Sequence, residues 1–199
     1  MKQIVLVTWL TALTAGIVAV FWYSEWKYQL PTPVPENYVA VATGTKIAKP
    51  EAISSANHKR PFFIHFFNPD CPCSKFNVPQ FRTLVNEHKN DMDFMIVVLN
   101  NEKYSADQIR KKFDLDVPVS FDTSLATTCG VYTTPQAVMV DENSNLYYRG
   151  NYNKTRYCTD KKTSYAAMAI EAVLAKKHSL NFDKSALTAY GCQLPTCTK

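Results

Sequence analysis

Residues 4–23 read IVLVTWLTALTAGIVAVFWY, twenty positions without a charge. As a helix this run spans about 30 Å, the thickness of a bilayer core. Lys2 precedes it, and Trp22, Tyr23 and Trp26 stand at its far end, where an interfacial aromatic belt falls. A cleaved signal peptide is the competing reading, since the start is charged and Ala15 and Ala19 are small enough for a peptidase. The run exceeds a signal core of about 7–15 residues, and bulky FWYSEW closes it, so an uncleaved anchor is expected. Positive charge at the start directs the amino end inside and the remainder outside. Next comes YQLPTPVPENY, where Pro31, Pro33 and Pro35 predict a stiff, extended spacer. The stretch from there to Arg60 has weak periodicity and reads as linker or as a first edge strand.

From Pro61 the pattern is that of a folded domain. PFFIHFF (61–67) is short, aromatic and flanked by turn formers, which predicts a buried strand. SKFNVPQFRTLVNEHK puts Val78, Phe81, Leu84 and Val85 on one helical face. DFMIVVLN (93–100) is a second buried strand. Ser105 and Gln108 have capping-box spacing at the head of a helix. VPVSFD (117–122) reads as extended and TSLATTCGV as a short helix. QAVMVD, ENSN and NLYYRG (136–150) read as strand, turn and strand. TSYAAMAIEAVLAKK (163–177) is a last helix with Ala166, Ile170, Val173 and Leu174 on one side, and the final 22 residues look irregular. Alternation of strands and helices predicts an α/β sandwich around a mixed sheet. The division is therefore 1–27 membrane anchor, 28–57 proline-containing linker, and 58–199 folded domain with a cysteine-bearing tail.

Composition narrows the class without changing it. Of 199 residues 46% are apolar and 20% charged, which is globular and neither disordered nor fibrous. Six cysteines are too few for a disulfide-built miniprotein. No repeat of solenoid or propeller length is visible. The net charge of +5 is 22 minus 17, and residues 151–199, with eight basic and three acidic side chains, account for all of it. Such an end reads as a solvated face more readily than as a docking surface. No phosphate loop, paired zinc motif or basic-aromatic RNA signature appears, so neither a cofactor nor nucleic acid is expected.

The chemistry concentrates at NPDCPCS. Cys71 falls between a strand end and a helix start, where backbone N–H groups and the helix dipole favour a thiolate. FFIHFFNPDCPCSKFNVPQF resembles the active-site strand, turn and helix of thioredoxin-fold proteins. GVYTTPQAVMVDENSNLYYRG resembles their second signature, a cis-proline loop followed by a β-hairpin. The likeness covers about residues 58–177. TAYGCQLP is similar to the tail of some redoxins related to the alkyl hydroperoxide reductase and thiol-specific antioxidant group. With the YQLPTPVP spacer, the CPCS site and RYCTDKKTSYA, the chain resembles a bacterial membrane-anchored redoxin-like type.

The resemblance implies a thioredoxin-like fold behind one transmembrane helix. It gives Cys71 the nucleophile position and Ser74 the resolving position of C-x-x-C, with Pro79 supporting the register. Cys73 stands one residue early, which departs from the family pattern. Cys71 would close a ring with Cys73, pair with a distant cysteine such as Cys129, or share a soft metal such as Cu(I) with Cys73. His65 takes the place of a buried acid, as a proton acceptor or a neutral core histidine. Thr134-Pro135 matches the cis-proline loop, on which substrate backbone would lie.

An exported domain lies where disulfides persist. The expected staple joins Cys158 to a tail cysteine, Cys192 or Cys197, although spacing does not fix connectivity. Cys129 is either buried and inert or a resolver for Cys71. The leading reading is a membrane-anchored thiol–disulfide oxidoreductase in a bacterial inner membrane, facing the periplasm or cell exterior. Cys71 would attack a protein disulfide and Cys73 or a distant cysteine would resolve it. An upstream redox partner and protein thiol or disulfide substrates follow. Three alternatives stand beside it. A peroxiredoxin-like peroxidase would need threonine where Asn68 stands. A Cu(I) carrier would draw on Cys71 and Cys73 and on His65 or His88. A redox-inert binding protein would use the fold alone.

Overall fold

Phe62–Phe67 (β1) is six residues long and buried throughout, so it can only be a strand covered on both faces. The computed structural model describes residues 2–53, 59–99, 103–155, 157, 158 and 160–194. In it β1 is the middle of a five-stranded sheet. It pairs in parallel with Asp93–Val98 (β2), from Phe62 opposite Asp93 to Phe67 opposite Val98. On its other side it pairs antiparallel with Gln136–Val140 (β5). Val119–Ser120 (β3) lies parallel on the outer edge of β2, and Leu146–Gly150 (β6) closes the hairpin with β5, giving the order β3-β2-β1-β5-β6.

Alternation along β1 sorts its side chains. Phe63 and Phe67 face a core built with Val78, Phe81, Leu84 and Val85 of Pro72–His88 (α2), Ile109 of Ala106–Phe113 (α3), and Ala166, Ile170 and Val173 of Tyr165–Leu174 (α5). Phe62, Ile64 and Phe66 face a second core with Ala126 and Cys129 of Ser124–Cys129 (α4). Burying each of the valine, leucine, isoleucine and phenylalanine side chains among these contributes about 1.5–3 kcal/mol. The helical faces expected for α2 and α5 are the buried ones. The capping box of α3 is complete: the Gln108 N–H donates to Ser105 Oγ at 3.2 Å and the Ser105 N–H to Gln108 Oε1 at 2.8 Å.

Lys2–Gln29 (α1) is one exposed helix, long and apolar enough to cross a membrane by length and composition. Residues 32–53, read from the sequence as spacer, linker or edge strand, run along the body. The Ile47 N–H donates to Ser144 O and the Leu146 N–H to Thr45 O, both at 2.8 Å, while Ile47 and Ile53 are buried in the second core. The tail is also more ordered than its pattern suggests. Asp183 caps Lys184–Leu187 (α6), and Cys192–Gln193 (β7) pairs antiparallel with Thr133–Thr134 (β4). A two-residue strand leaves no alternation to read, which is why the sequence looked irregular there.

Candidate active site

β1 delivers the chain into a tight turn. The Cys71 N–H donates to Asn68 O at 3.1 Å, the Asn68 N–H to Ser74 Oγ at 3.3 Å, and the Ser74 N–H to Cys71 O at 3.1 Å. Cys71 is the N-cap residue of α2, with extended backbone and Pro72 at the first helical position, where a missing N–H costs nothing. No side chain caps this end. The helix dipole at this end therefore favours negative charge on the Cys71 sulfur once the thiol is reduced.

Cys71 is bonded to Cys192, 121 residues away. A distant partner for Cys71 is among the expected options, and the correction concerns which cysteine it is. Neither Cys73 nor Cys129 is the bridged partner of Cys71, and Cys192 is not joined to Cys158. The reason is the path of the tail. Once β7 lies on β4, Cys192 sits opposite Thr134, beside the head of α2. Cys158 instead directs its thiol at Asn77 Oδ1, 2.9 Å away. Cys197 lies outside the described residues. Cys73 is buried next to the bridge, and the sulfurs of Cys71, Cys73 and Cys192 all lie within 4.8 Å of one another.

The Thr134–Pro135 peptide is cis and follows β4 directly. On its far side, Gly191 touches it so closely that a Cβ there would overlap the Thr134 carbonyl. Thr32, from the segment after α1, holds the tail from another direction: its N–H donates to Ala189 O at 2.8 Å and its Oγ1–H to Gly191 O at 2.6 Å. Sequence reading missed Thr32, because nothing in a proline-rich stretch marks one threonine as a clasp. A cleft of about 460 Å³ opens beside this assembly, lined in part by Cys73, Asn77, Pro135, Tyr152, Tyr190 and Gly191.

His65 lies in the core on the α2 side of the sheet. It is fully buried, stacked on Phe81 at 4.7 Å, and its Nδ1 is 2.6 Å from Tyr152 Oη. Burial lowers its pKa to about 3, so the ring is neutral at physiological pH and a poor proton acceptor there. Burial likewise pushes the thiols of Cys129 and Cys158 up to about 12; for Cys129 the Arg149 guanidinium offsets only part of this. Both stay protonated and weakly nucleophilic.

A mixed sheet with the parallel β1–β2–β3 half, the antiparallel β5–β6 hairpin, a cysteine at the head of α2 and a cis-proline loop facing it define a thioredoxin-like fold. More narrowly, the chain belongs to the family described as a domain of unknown function (DUF6436), whose pattern matches residues 40–195. That span takes in Cys71, Cys73, Cys129, Cys158 and Cys192. Among solved structures, the chain is similar to a hypothetical protein from Sinorhizobium meliloti, at 17% identity and TM-score 0.61, over 79% of this chain and 96% of that one. It is also similar to an uncharacterized conserved protein from Geobacillus kaustophilus, at 15% identity and TM-score 0.57, over 77% and 93%. A thiol:disulfide interchange protein of the thioredoxin family from Chlorobium tepidum aligns at 13% identity and TM-score 0.46, over 58% and 81%. No curated protein matches the sequence.

Proposed function

We propose that the protein is a membrane-anchored thiol–disulfide oxidoreductase whose redox pair is Cys71 and Cys192. The observation that carries this reading is the Cys71–Cys192 bond at the head of α2, directly against the Thr134–Pro135 loop. In the reduced state the Cys71 thiolate attacks a substrate disulfide. A Cys71–substrate bond forms and the other substrate sulfur leaves as a thiolate. Cys192 then attacks Cys71 Sγ, the substrate's second thiolate is released, and the Cys71–Cys192 bond returns. A dithiol partner restores the reduced pair and leaves as a disulfide. Cys73 sits within reach of both sulfurs and serves as an alternative resolver. His65 takes no proton in this scheme.

Residues 4–23 form the anchor, and the domain faces the periplasm or cell exterior, an oxidising space in which such a pair cycles. Disulfide mapping by mass spectrometry across a series of thiol–disulfide buffers tests the function. A Cys71–Cys192 bond that opens and closes reversibly near compartment potentials supports it. If that bond stays closed across the series, or Cys71 stays a thiol under mild oxidation, exchange chemistry has no basis here.

One observation favours a second reading. Three buried sulfurs within 4.8 Å of one another, once reduced, form a soft-ligand set suited to Cu(I). Titration of the reduced protein with Cu(I) against a competing chelator separates the two, since Cys192→Ser weakens a three-sulfur site.

A further inference from the structure

The tail does more than bring Cys192 to Cys71. Its backbone is held along its length in a slot. One wall is β4, where Thr133 stands opposite Gln193 and Thr134 opposite Cys192. The other is Thr32, whose N–H and hydroxyl donate to the carbonyls of Ala189 and Gly191. Every bond from these walls goes to main chain, so what the slot reads is an extended backbone. A short strand edge of this kind is a template for any polypeptide that reaches it. Side-chain selection enters at one position. At Gly191 a Cβ would overlap the carbonyl oxygen and carbon of Thr134, which are backbone and cannot swing aside. The residue immediately before the bonded cysteine therefore has no room for a side chain. Tyr190, one position earlier, lines the open cleft.

Resting on the oxidoreductase reading above, we propose that the segment 189–194 is a tethered stand-in for the substrate. The slot between Thr32 and Thr133–Thr134 takes an extended polypeptide segment with glycine directly before its reactive cysteine, and opening the Cys71–Cys192 bond lets the tail leave so that such a segment enters. The opening takes two electrons and two protons from a dithiol, which becomes a disulfide. When Cys192 later attacks Cys71 Sγ, the tail returns and expels its competitor. Substrate selection and product release are thereby one event, competition between two strands for one edge.

The test uses full-length protein in detergent micelles and the heptapeptide TAYGCQL, its cysteine activated as the thionitrobenzoate disulfide. Attack by Cys71 on the peptide sulfur releases thionitrobenzoate, which absorbs visibly; the same reading from Cys71→Ser is subtracted. With the Cys192→Ser protein, TAYGCQL is captured roughly tenfold or more faster than TAYVCQL, the cost of forcing a side chain against fixed backbone. Gly191→Val added to Cys192→Ser unseats the tail and speeds capture of TAYGCQL. Equal rates for the two peptides overturn the proposal, as does a Gly191→Val change that leaves capture no faster. The dithionitrobenzoate disulfide alone separates the two readings: reaction with it but no peptide discrimination sinks only this proposal, whereas no reaction through Cys71 sinks the oxidoreductase reading and this one together. Hydrogen exchange on wild-type protein gives a readout independent of rate. Amides in 131–134 and 189–194 lose protection on reduction, and protection unchanged by reduction overturns the release step.

Discussion

At the residue scale the described cysteines divide by environment. Cys71 stands at a helix N-terminus that stabilises a thiolate, whereas Cys129 and Cys158 sit in surroundings that raise their thiols to about 12. Alkylation of the reduced, folded protein near pH 7.5 is therefore expected to modify Cys71 well before Cys129 and Cys158. Peptide mass mapping over time checks the order, and early labelling of Cys158 would contradict it. His65 gives a second expectation. Its pKa is lowered from 6.5 in the unfolded chain to about 3 in the fold, so the unfolded state binds its proton first as pH falls. The stability this buried neutral ring contributes is complete above about pH 6.5, and it is lost between there and about pH 3, at up to about 1.4 kcal/mol per pH unit. His65→Leu flattens that acid limb in thermal unfolding measured from pH 3 to 8. It also costs about 1–3 kcal/mol at neutral pH by orphaning the Tyr152 hydroxyl. The exchange rate at pH 7 is unchanged. A rate that collapses in a folded His65→Leu protein would restore the histidine as a proton acceptor.

At the scale of elements, what was legible in the sequence is what is written locally. The all-buried FFIHFF of β1, the 3.6-residue spacing of Val78, Phe81 and Val85 on α2, and the β5–β6 hairpin each follow from a few neighbouring residues. The capping box of α3 is the clearest case, because both of its hydrogen bonds span three residues. Ser105→Ala is expected to lower stability by about 1 kcal/mol, read as a shift in the thermal midpoint; an unchanged midpoint would mean α3 draws nothing from its cap. The position of Cys71 was legible for the same local reason, at the junction of a strand and a helix. The partner was not. Whether Cys192 meets Cys71 depends on the path of the chain after α5, and a strand as short as β7 carries no periodicity to betray its pairing. Thr32 was illegible for a related reason. Its partners, Ala189 and Gly191, offer only carbonyl groups, which every residue has.

At the scale of the whole molecule, the apolar helix α1 and the Thr32 clasp on the tail are close along the chain. Helix α1 ends at Gln29, and Thr32, which clasps the tail, follows three residues later, a reach of at most about 10 Å. With α1 in a bilayer, the Cys71 site stands near the membrane surface, and a partner must present its strand there. This geometry holds only if the anchor is retained. The apolar run itself fits a signal sequence as well as an anchor, and which it is decides where the site stands. Cleavage after Ala15 or Ala19 would leave Thr32 attached to a short loose end, with nothing holding the site at a surface. Expressed in a bacterium, the full chain is expected to stay in the membrane pellet through alkaline carbonate extraction. Its intact mass is that of all 199 residues, apart from processing of the first methionine. Protease added to spheroplasts digests the domain without lysis, because the positive start keeps the amino end inside. Release by carbonate together with a mass short by the first 15 or 19 residues would make residues 4–23 a signal sequence, and the domain would then be free to diffuse. Protection from protease until lysis would put Cys71 in the reducing cytosol, where the Cys71–Cys192 pair would rest open and the slot between Thr32 and β4 would stand vacant rather than closed by its own tail.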